Sequence, residues 1–200
     1  NVQVDDIYTG NGVSELITLS MQALLNNGDE ILVPMPDYPL WTASVTLAGG
    51  KAVHYLCDEE KEWAPDLDDI RSKITENTKG IVVINPNNPT GYLYTRREMN
   101  QIRDMVKKYD LYLFSDEVYR EFIYTGSPYI SACHLEGIEN NVVLIDSVSK
   151  RYSECGIRIG ALITKNEEVR KAVMKFCQAR LSPPLIGQIA AEASLDEPQE

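Results

Sequence analysis

The chain has 200 residues, and 19 Lys and Arg against 30 Asp and Glu give it a formal net charge of −11. This length fits one domain or little more, and 44% hydrophobic with 24% charged residues is typical of a folded globular protein. Because the acidic excess removes the general attraction for phosphate backbones and anionic lipids, we expect neither a nucleic acid nor a membrane as a partner.

Cysteine and histidine are too sparse to predict a metal site or a disulfide framework. The four cysteines are scattered without a C-x-x-C pair, and the two histidines are His54 and His134. We therefore expect no metal, and we expect a reducing, cytoplasmic location. No apolar run approaches the roughly 20 residues of a membrane span. The chain begins with Asn1 in place of Met and without the pattern of a signal peptide, so we expect it to be part of a longer polypeptide.

Short apolar segments recur along the chain and predict β-strands. Most are continuously apolar, which is typical of strands buried on both faces of a parallel sheet. Seven are predicted, at residues 4–9, 30–34, 51–56, 80–85, 111–115, 142–146 and 159–164.

Helix patterns lie between these strands. The predicted N-caps are Ser14, Asp66, Thr95 and Asn166. Glu98 completes a capping box with Thr95, and the last helix ends before Pro183. The alternation predicts an α/β fold, a doubly wound, mainly parallel seven-stranded sheet with helices on both faces. Because ligands bind at the carboxyl ends of the strands in such a sheet, functional residues are expected there.

The segment from Gly10 to Glu15 follows the first predicted strand and begins a helix. Its backbone N–H groups suit a phosphate at a helix N-terminus, and a tight turn with an N-cap is the alternative interpretation. The dinucleotide-binding fingerprint needs a third glycine where Glu15 stands, which argues against NAD.

Polar residues also follow the later strands. The turn from Asn85 to Gly91 contains three Asn and two Pro, whose amides either face a ligand or only shape the turn. Asp116 would be partly desolvated and need a cation, or would be a helix cap or a solvated acid. Lys150, among small hydroxyl residues, suits covalent binding of a carbonyl cofactor, or is a surface lysine. Arg158, between two glycines, suits bidentate binding of a phosphate.

Together these motifs resemble the class I/II aminotransferases, pyridoxal-phosphate enzymes of fold type I. The matching segments, in family order, are residues 12–14, 36–39, 85–91, 115–119 and 147–160. Three of the motifs are highly specific for this family when they occur together: Asn-Pro-Thr-Gly, Ser-x-Ser-Lys and Gly-x-Arg-x-Gly. Residues 26–88 look most like the alanine (glutamate–pyruvate) branch, and the segment around Lys150 looks less like it.

The resemblance implies a role for each matching residue. Lys150 would form a Schiff base with pyridoxal 5′-phosphate and move a proton between the substrate Cα and C4′ of the cofactor. Asp116 would pair with the pyridinium nitrogen. Asn88 and Tyr119 would bind the 3′-oxygen, and Tyr38 would stack on the ring. The implied phosphate ligands are Gly12, Val13, Ser14, Ser147, Ser149 and Arg158.

The resemblance also implies a domain organisation. Family members are longer homodimers, with an N-terminal segment and a C-terminal small domain that supplies an arginine for the substrate carboxylate. Residues 1–200 would then be the cofactor-binding large domain, a fragment that binds the cofactor weakly and does not turn over. Glu154 departs from the family pattern, which usually has a small apolar residue there. It would lie near the phosphate and repel it, or pair with Arg151 or Arg158.

The expected reaction is amino-group transfer between an L-amino acid, such as alanine or aspartate, and a 2-oxo acid such as 2-oxoglutarate. A carbon–sulfur lyase or an aminocyclopropane-carboxylate synthase-like enzyme would use the same residues and remains an alternative. A non-catalytic α/β module is an alternative of another class. The joint presence of Lys150, Asp116, Asn88 and Arg158 argues against that module.

Overall fold

The computed structural model describes residues 2–195 and contains one mixed sheet. Its strands are β1 (Ile7–Gly10), β2 (Glu30–Met35), β3 (Lys51–Asp58), β4 (Ala64–Pro65), β5 (Thr78–Ile84), β6 (Tyr112–Asp116), β7 (Val142–Ser147) and β8 (Gly160–Ile163). They lie in the order β1-β8-β7-β6-β5-β2-β3-β4. The predicted α/β fold with a mainly parallel sheet is confirmed.

The strand number differs from the prediction, because the sheet formed by the described residues has eight strands and not seven. The additional strand is β4, whose two residues pair antiparallel with the end of β3. A two-residue strand is too short to produce an apolar pattern. The five strands from β3 to β7 in the sheet order are parallel, whereas β8 runs antiparallel to both β7 and β1.

Helices cover both faces of the sheet. They are α1 (Gly12–Leu24), α2 (Leu40–Leu47), α3 (Leu67–Ser72), α4 (Arg96–Tyr109), α5 (Val148–Arg151), α6 (Glu167–Arg180) and α7 (Leu185–Ser194). The predicted caps at Asp66, Thr95 and Asn166 are confirmed, since each side chain accepts backbone N–H bonds of its helix. The apolar residues of α3 and α4 pack on one face, and those of α1, α2 and α6 pack on the other.

The prediction that Ser14 caps the first helix is wrong. The helix begins at Gly12, three residues before the predicted start at Glu15, with Asn11 at the N-cap position. The carboxylate of Glu15 accepts from the backbone N–H of Asn11 at 2.7 Å and from its side-chain amide at 2.9 Å. Because this carboxylate closes the helix start, Ser14 lies inside the first turn, where it faces a cavity.

The register of the sheet brings several strand ends to one edge. Ile84 of β5 pairs with Asp116 of β6, which pairs with Ile145 of β7. Gly160 of β8 pairs on one side with Ser147 and on the other with Gly10. The carboxyl ends of the parallel strands and the start of α1 therefore surround one space. Within residues 2–195, no helix is long and apolar enough to cross a membrane, and no His, Cys, Asp and Glu group could hold a metal ion.

Candidate active site

A cavity of about 210 Å³ lies at this edge of the sheet. Its lining residues are Val13, Ser14, Tyr38, Asn88, Asp116, Val118, Tyr119, Ser147, Ser149, Lys150, Cys155 and Arg158. Ten of the eleven residues that the sequence analysis selected are among them. The eleventh, Gly12, is the first residue of α1 and lies directly against Arg158. The structure thus brings the whole predicted set together.

One end of the cavity is formed by the N-terminus of α1 and the side chain of Arg158. The Arg158 guanidinium donates to the carbonyl oxygen of Asn11 at 3.3 Å and to that of Cys155 at 2.9 Å. Gly12 has a φ of +78°, and a Cβ there would collide with this guanidinium. Glycine is therefore required at this position both by its backbone conformation and by the available space. A helix N-terminus beside a guanidinium is a favourable place for an anion.

Serine hydroxyls extend this donor set. The Ser147 Oγ accepts the backbone N–H of Ser149 at 2.9 Å and so caps α5. A hydroxyl that accepts one bond still has its own hydrogen to donate. Ser14, Ser147 and Ser149 line the same cavity as Arg158, so three hydroxyls and this guanidinium face one space.

The cavity also contains an acid, Asp116, which is buried at the carboxyl end of β6. Its carboxylate accepts from the backbone N–H of Val118 at 3.3 Å and from the indole Nε1 of Trp41 at 3.4 Å. Burial raises the pKa of Asp116 to about 6, against the opposing effect of these two bonds. In the part of the chain that the structure describes, no Lys or Arg forms an ion pair with it. The buried carboxyl group therefore lacks the cation that its location calls for.

Lys150 enters the same cavity from α5. Its Nζ lies 5.8 Å from the centroid of the Tyr119 ring, close enough for a cation–π interaction. The residue is exposed, so its amine is accessible to a ligand. A primary amine, a buried carboxyl group and an anion site are thus present around one cavity.

The three asparagines of the turn after β5 have different roles. Asn85 is buried, with its side chain bonded to the backbone of Tyr94 and Ile130. The Oδ1 of Asn87 accepts from the backbone N–H and the hydroxyl of Thr90. Only Asn88 of the three lines the cavity. Two asparagines therefore shape the turn and the third one faces the site.

Glu154 has a position that differs from both expectations. Its Oε1 accepts a hydrogen bond from the Ser194 hydroxyl of α7 at 2.7 Å. Arg151 instead pairs with Glu121 at 3.0 Å, and Arg158 donates to carbonyl oxygens. The acid is thus directed toward the last helix, and it is not part of the cavity lining.

Sequence reasoning missed three residues of the site. Val118 and Cys155 line the cavity without a motif that marks them. Trp41 lies below it and holds Asp116. The signal for Trp41 was present in the sequence, because a buried tryptophan N–H needs an acceptor and Asp116 was predicted to be desolvated.

Comparisons with known proteins identify the family. The model of the aminotransferase class I and II family matches residues 1–200. The chain is 52% identical over 163 residues to the glutamate-pyruvate aminotransferase AlaA of Escherichia coli K12. It is 47% identical over 199 residues to an alanine aminotransferase of Mycobacterium bovis. These alignments cover 82% and 96% of this chain but only 40% and 46% of the two relatives.

Solved structures give the same result for the fold. An aminotransferase from Escherichia coli superimposes with a TM-score of 0.94 at 44% identity, over 100% of this chain and 50% of the other. An alanine aminotransferase from Pyrococcus furiosus superimposes with a TM-score of 0.92 at 40% identity, over 99% of this chain and 52% of the other. The chain thus spans about half the length of these relatives. The protein belongs to the class I and II aminotransferases.

Proposed function

We propose that these 200 residues form the cofactor-binding large domain of a pyridoxal-phosphate-dependent aminotransferase. The amino group would pass between an L-amino acid, with alanine and glutamate favoured by the names of the relatives, and a 2-oxo acid such as pyruvate or 2-oxoglutarate. One observation carries the proposal: Lys150, Asp116 and the donors around Arg158 all face a single cavity.

The chemistry of these side chains fits pyridoxal phosphate at three points. The α1 N-terminus, the serine hydroxyls and the Arg158 guanidinium suit a phosphate. The buried carboxyl group of Asp116 has no cationic partner among residues 2–195, and a protonated ring nitrogen would supply one. Lys150 presents an accessible primary amine that can bond to an aldehyde.

Pyridoxal phosphate, when bound, supplies an electron sink that stabilises negative charge at the substrate Cα. The Nζ of Lys150 would bind the cofactor covalently and then, once free, hold and return the Cα proton. Asp116 would keep a proton on the ring nitrogen. Its pKa of about 6 leaves it largely ionised at neutral pH even before a cation approaches. Asn88 and Tyr119 would bind the ring oxygen, and Tyr38 would pack on the ring face.

The remaining parts of the function extend beyond these residues. We infer that a longer polypeptide supplies the arginine for the substrate carboxylate, and that it works as a homodimer in the cytoplasm. The relatives are named aminotransferases, which favours amino transfer over carbon–sulfur elimination. The isolated chain would bind the cofactor weakly and not turn over.

A cofactor-capture experiment tests the proposal. Purified chain mixed with pyridoxal phosphate should turn yellow, and borohydride should remove the colour and fix the adduct on Lys150, as located by peptide mass spectrometry. Lys150→Ala should lose the adduct. Lys165→Ala is the matched control, because this exposed lysine lies beyond the other end of β8, at the opposite edge of the sheet. An adduct that survives in Lys150→Ala would refute the assignment.

Turnover is tested in the longer polypeptide that carries this sequence. Alanine with 2-oxoglutarate should yield pyruvate and glutamate, and Lys150→Ala should reduce the rate by about 10³-fold or more, since it removes both the covalent link and the proton carrier. Release of ammonia in place of a new amino acid would indicate elimination instead.

A further inference from the structure

Four charged side chains form an ion-pair cluster beside the cavity. Arg120 Nη2 lies 2.9 Å from Asp146 Oδ2, and Arg151 Nη2 lies 3.0 Å from Glu121 Oε1. Two longer contacts of 3.6 Å complete the cluster, between Arg151 and Asp146 and between Arg120 and Glu121. Each arginine thus contacts both carboxylates. We call these four residues the arginine–carboxylate cluster.

The members of the cluster are neighbours in sequence of the cavity residues. Arg120 follows Tyr119 in the turn after β6, and Arg151 follows Lys150 at the end of α5. Asp146 precedes Ser147, and its Oδ1 accepts the Ser147 N–H at 2.8 Å. The cluster therefore joins the two backbone segments that place Tyr119 and Lys150 on facing sides of the cavity.

The segment that carries Lys150 needs such support. Helix α5 has four residues, and a helix of one turn is unstable without tertiary contacts. Lys150 itself is exposed, so its own side chain adds little packing. The Arg151 and Asp146 side chains are each only 15% exposed, which places their ion pairs among the partly buried ones that resist screening.

The cluster is suited to positioning and not to binding an anion. Its two cations and two carboxylates sum to no net charge, and both guanidinium groups already have carboxylate partners. The cavity lining contains none of the four side chains. Their influence on a ligand must then pass through the backbone that they hold.

We propose that the arginine–carboxylate cluster is the positioning element that holds Lys150 opposite Tyr119 for covalent capture of the cofactor. This inference rests on the proposed function. When the cluster is broken, the cavity remains but the amine of Lys150 is no longer kept at the reacting carbonyl carbon. Because reactions between held groups are sensitive to displacements of about 1 Å, the capture rate falls far more than the affinity of the cavity.

The test separates capture from binding in the 200-residue chain. In capture, the Lys150 amine condenses with the aldehyde to a C=N bond with loss of water, and hydride from borohydride reduces that bond to a stable C–N bond. The capture rate is the rate at which this reduced adduct on Lys150 accumulates. Binding is the affinity for 4′-deoxypyridoxine 5′-phosphate, which has the ring and phosphate but no aldehyde. Arg120→Gln and Arg151→Gln should slow capture about tenfold or more and change the analogue affinity by less than about threefold. Arg151→Lys, which keeps the charge, should recover part of the rate.

Arg170→Gln is the matched control. Arg170 pairs with Asp6 at 3.0 Å with side-chain exposures of 28% and 8%, close to the 2.9 Å, 28% and 15% of Arg120 and Asp146. Arg170→Gln should leave the capture rate and the analogue affinity unchanged. Glu121→Gln changes the most exposed member and gives the same test if an arginine variant is too unstable to purify.

The outcomes are distinct. Equal capture rates in the cluster variants and in Arg170→Gln would overturn the inference, as would a parallel loss of capture and analogue affinity, which indicates a collapsed cavity. Failure of the unmodified chain to capture the cofactor would instead overturn the proposed function.

Discussion

The indole Nε1 of Trp41 donates a hydrogen bond to the Oδ2 of Asp116 at 3.4 Å, across 75 positions of sequence. Trp41 is fully buried in α2, and its ring packs 6.0 Å from that of Phe114. A donor from the core thus orients the acid that faces the cavity. The bond also favours the ionised carboxylate against its buried surroundings.

Trp41→Phe tests this relationship. Loss of the donor should raise the pKa of Asp116 above about 6, and the smaller ring should lower the free energy of unfolding by about 1–3 kcal/mol. NMR titration of labelled aspartates and urea unfolding measure the two effects. Tyr55→Phe is the control, because it removes a buried hydrogen bond to Val82 on the other face of the sheet. If both variants leave the Asp116 titration unchanged, the indole does not tune the acid.

The raised pKa of Asp116 predicts a pH-dependent stability of the unliganded chain. As the pH rises from about 4 to about 6, the unfolded chain releases the proton first, so the folded state loses stability. Asp116→Asn removes this titration. Its stability relative to the unmodified chain should therefore increase across that window, by on the order of 2–3 kcal/mol, and stay constant above it. Urea unfolding at pH 4, 5, 6 and 7.5 measures this difference, and a flat difference would contradict the prediction.

Neighbouring asparagines should respond differently to the same substitution. Asn87→Ala removes two hydrogen bonds to Thr90 and should cost about 1–2 kcal/mol of stability. Asn88→Ala should change stability by less than about 0.5 kcal/mol, as for a partly exposed position, but weaken pyridoxal-phosphate binding. For both variants, thermal unfolding measures the stability, and titration with pyridoxal phosphate followed by absorbance measures the binding. The division of roles is wrong if Asn87→Ala affects only binding.

Arg158 should contribute to binding of the cofactor's phosphate group and not to binding of its ring. Arg158→Gln should weaken pyridoxal 5′-phosphate binding about 10- to 100-fold, since a charged donor is lost, and change the affinity for pyridoxal by less than about threefold. Arg158→Lys should give an intermediate result, because a lysine lacks the planar fork that now reaches both Asn11 and Cys155. Equal losses for both ligands would show that the residue acts on the loop alone.

The parts of the fold that sequence could predict are those with a repeated local pattern. Continuous apolar runs located the parallel strands, and side-chain caps located α3, α4 and α6. Strand β4 and helices α2, α5 and α7 were not predicted. Strand β4 has two residues and α5 has four, which is too short for a periodic pattern. Helix α2 has no side-chain cap, and α7 exposes Leu185, Ile186 and Ile189, so it lacks a polar face opposite an apolar one.

The site was predictable where topology alone brings residues together. Strand ends converge at one edge, which is why Asp116, Lys150 and Arg158 were found before any contact was known. Hydrogen bonds across the chain were not predictable. Nothing local shows that Glu154 is bonded to Ser194, 40 positions away. The bond from Asn11 to Glu15 is local, but Ser14 is an equally suitable capping residue by type, so residue type alone does not choose between the two helix starts.

The pairing of β1 with β8 has a consequence for synthesis on the ribosome. The anion site combines Asn11 and Arg158, which are 147 positions apart, and Gly160 leaves room for the backbone of Gly12. A nascent chain that ends before Arg158 therefore lacks half of this end of the cavity, and one that ends before β8 lacks the strand that pairs with β1. Contacts between residues that are so far apart in sequence are slow to form. Cofactor capture by translationally stalled chains should begin only after Ile163 has left the exit tunnel, so the yellow colour would report that β1 has paired with β8.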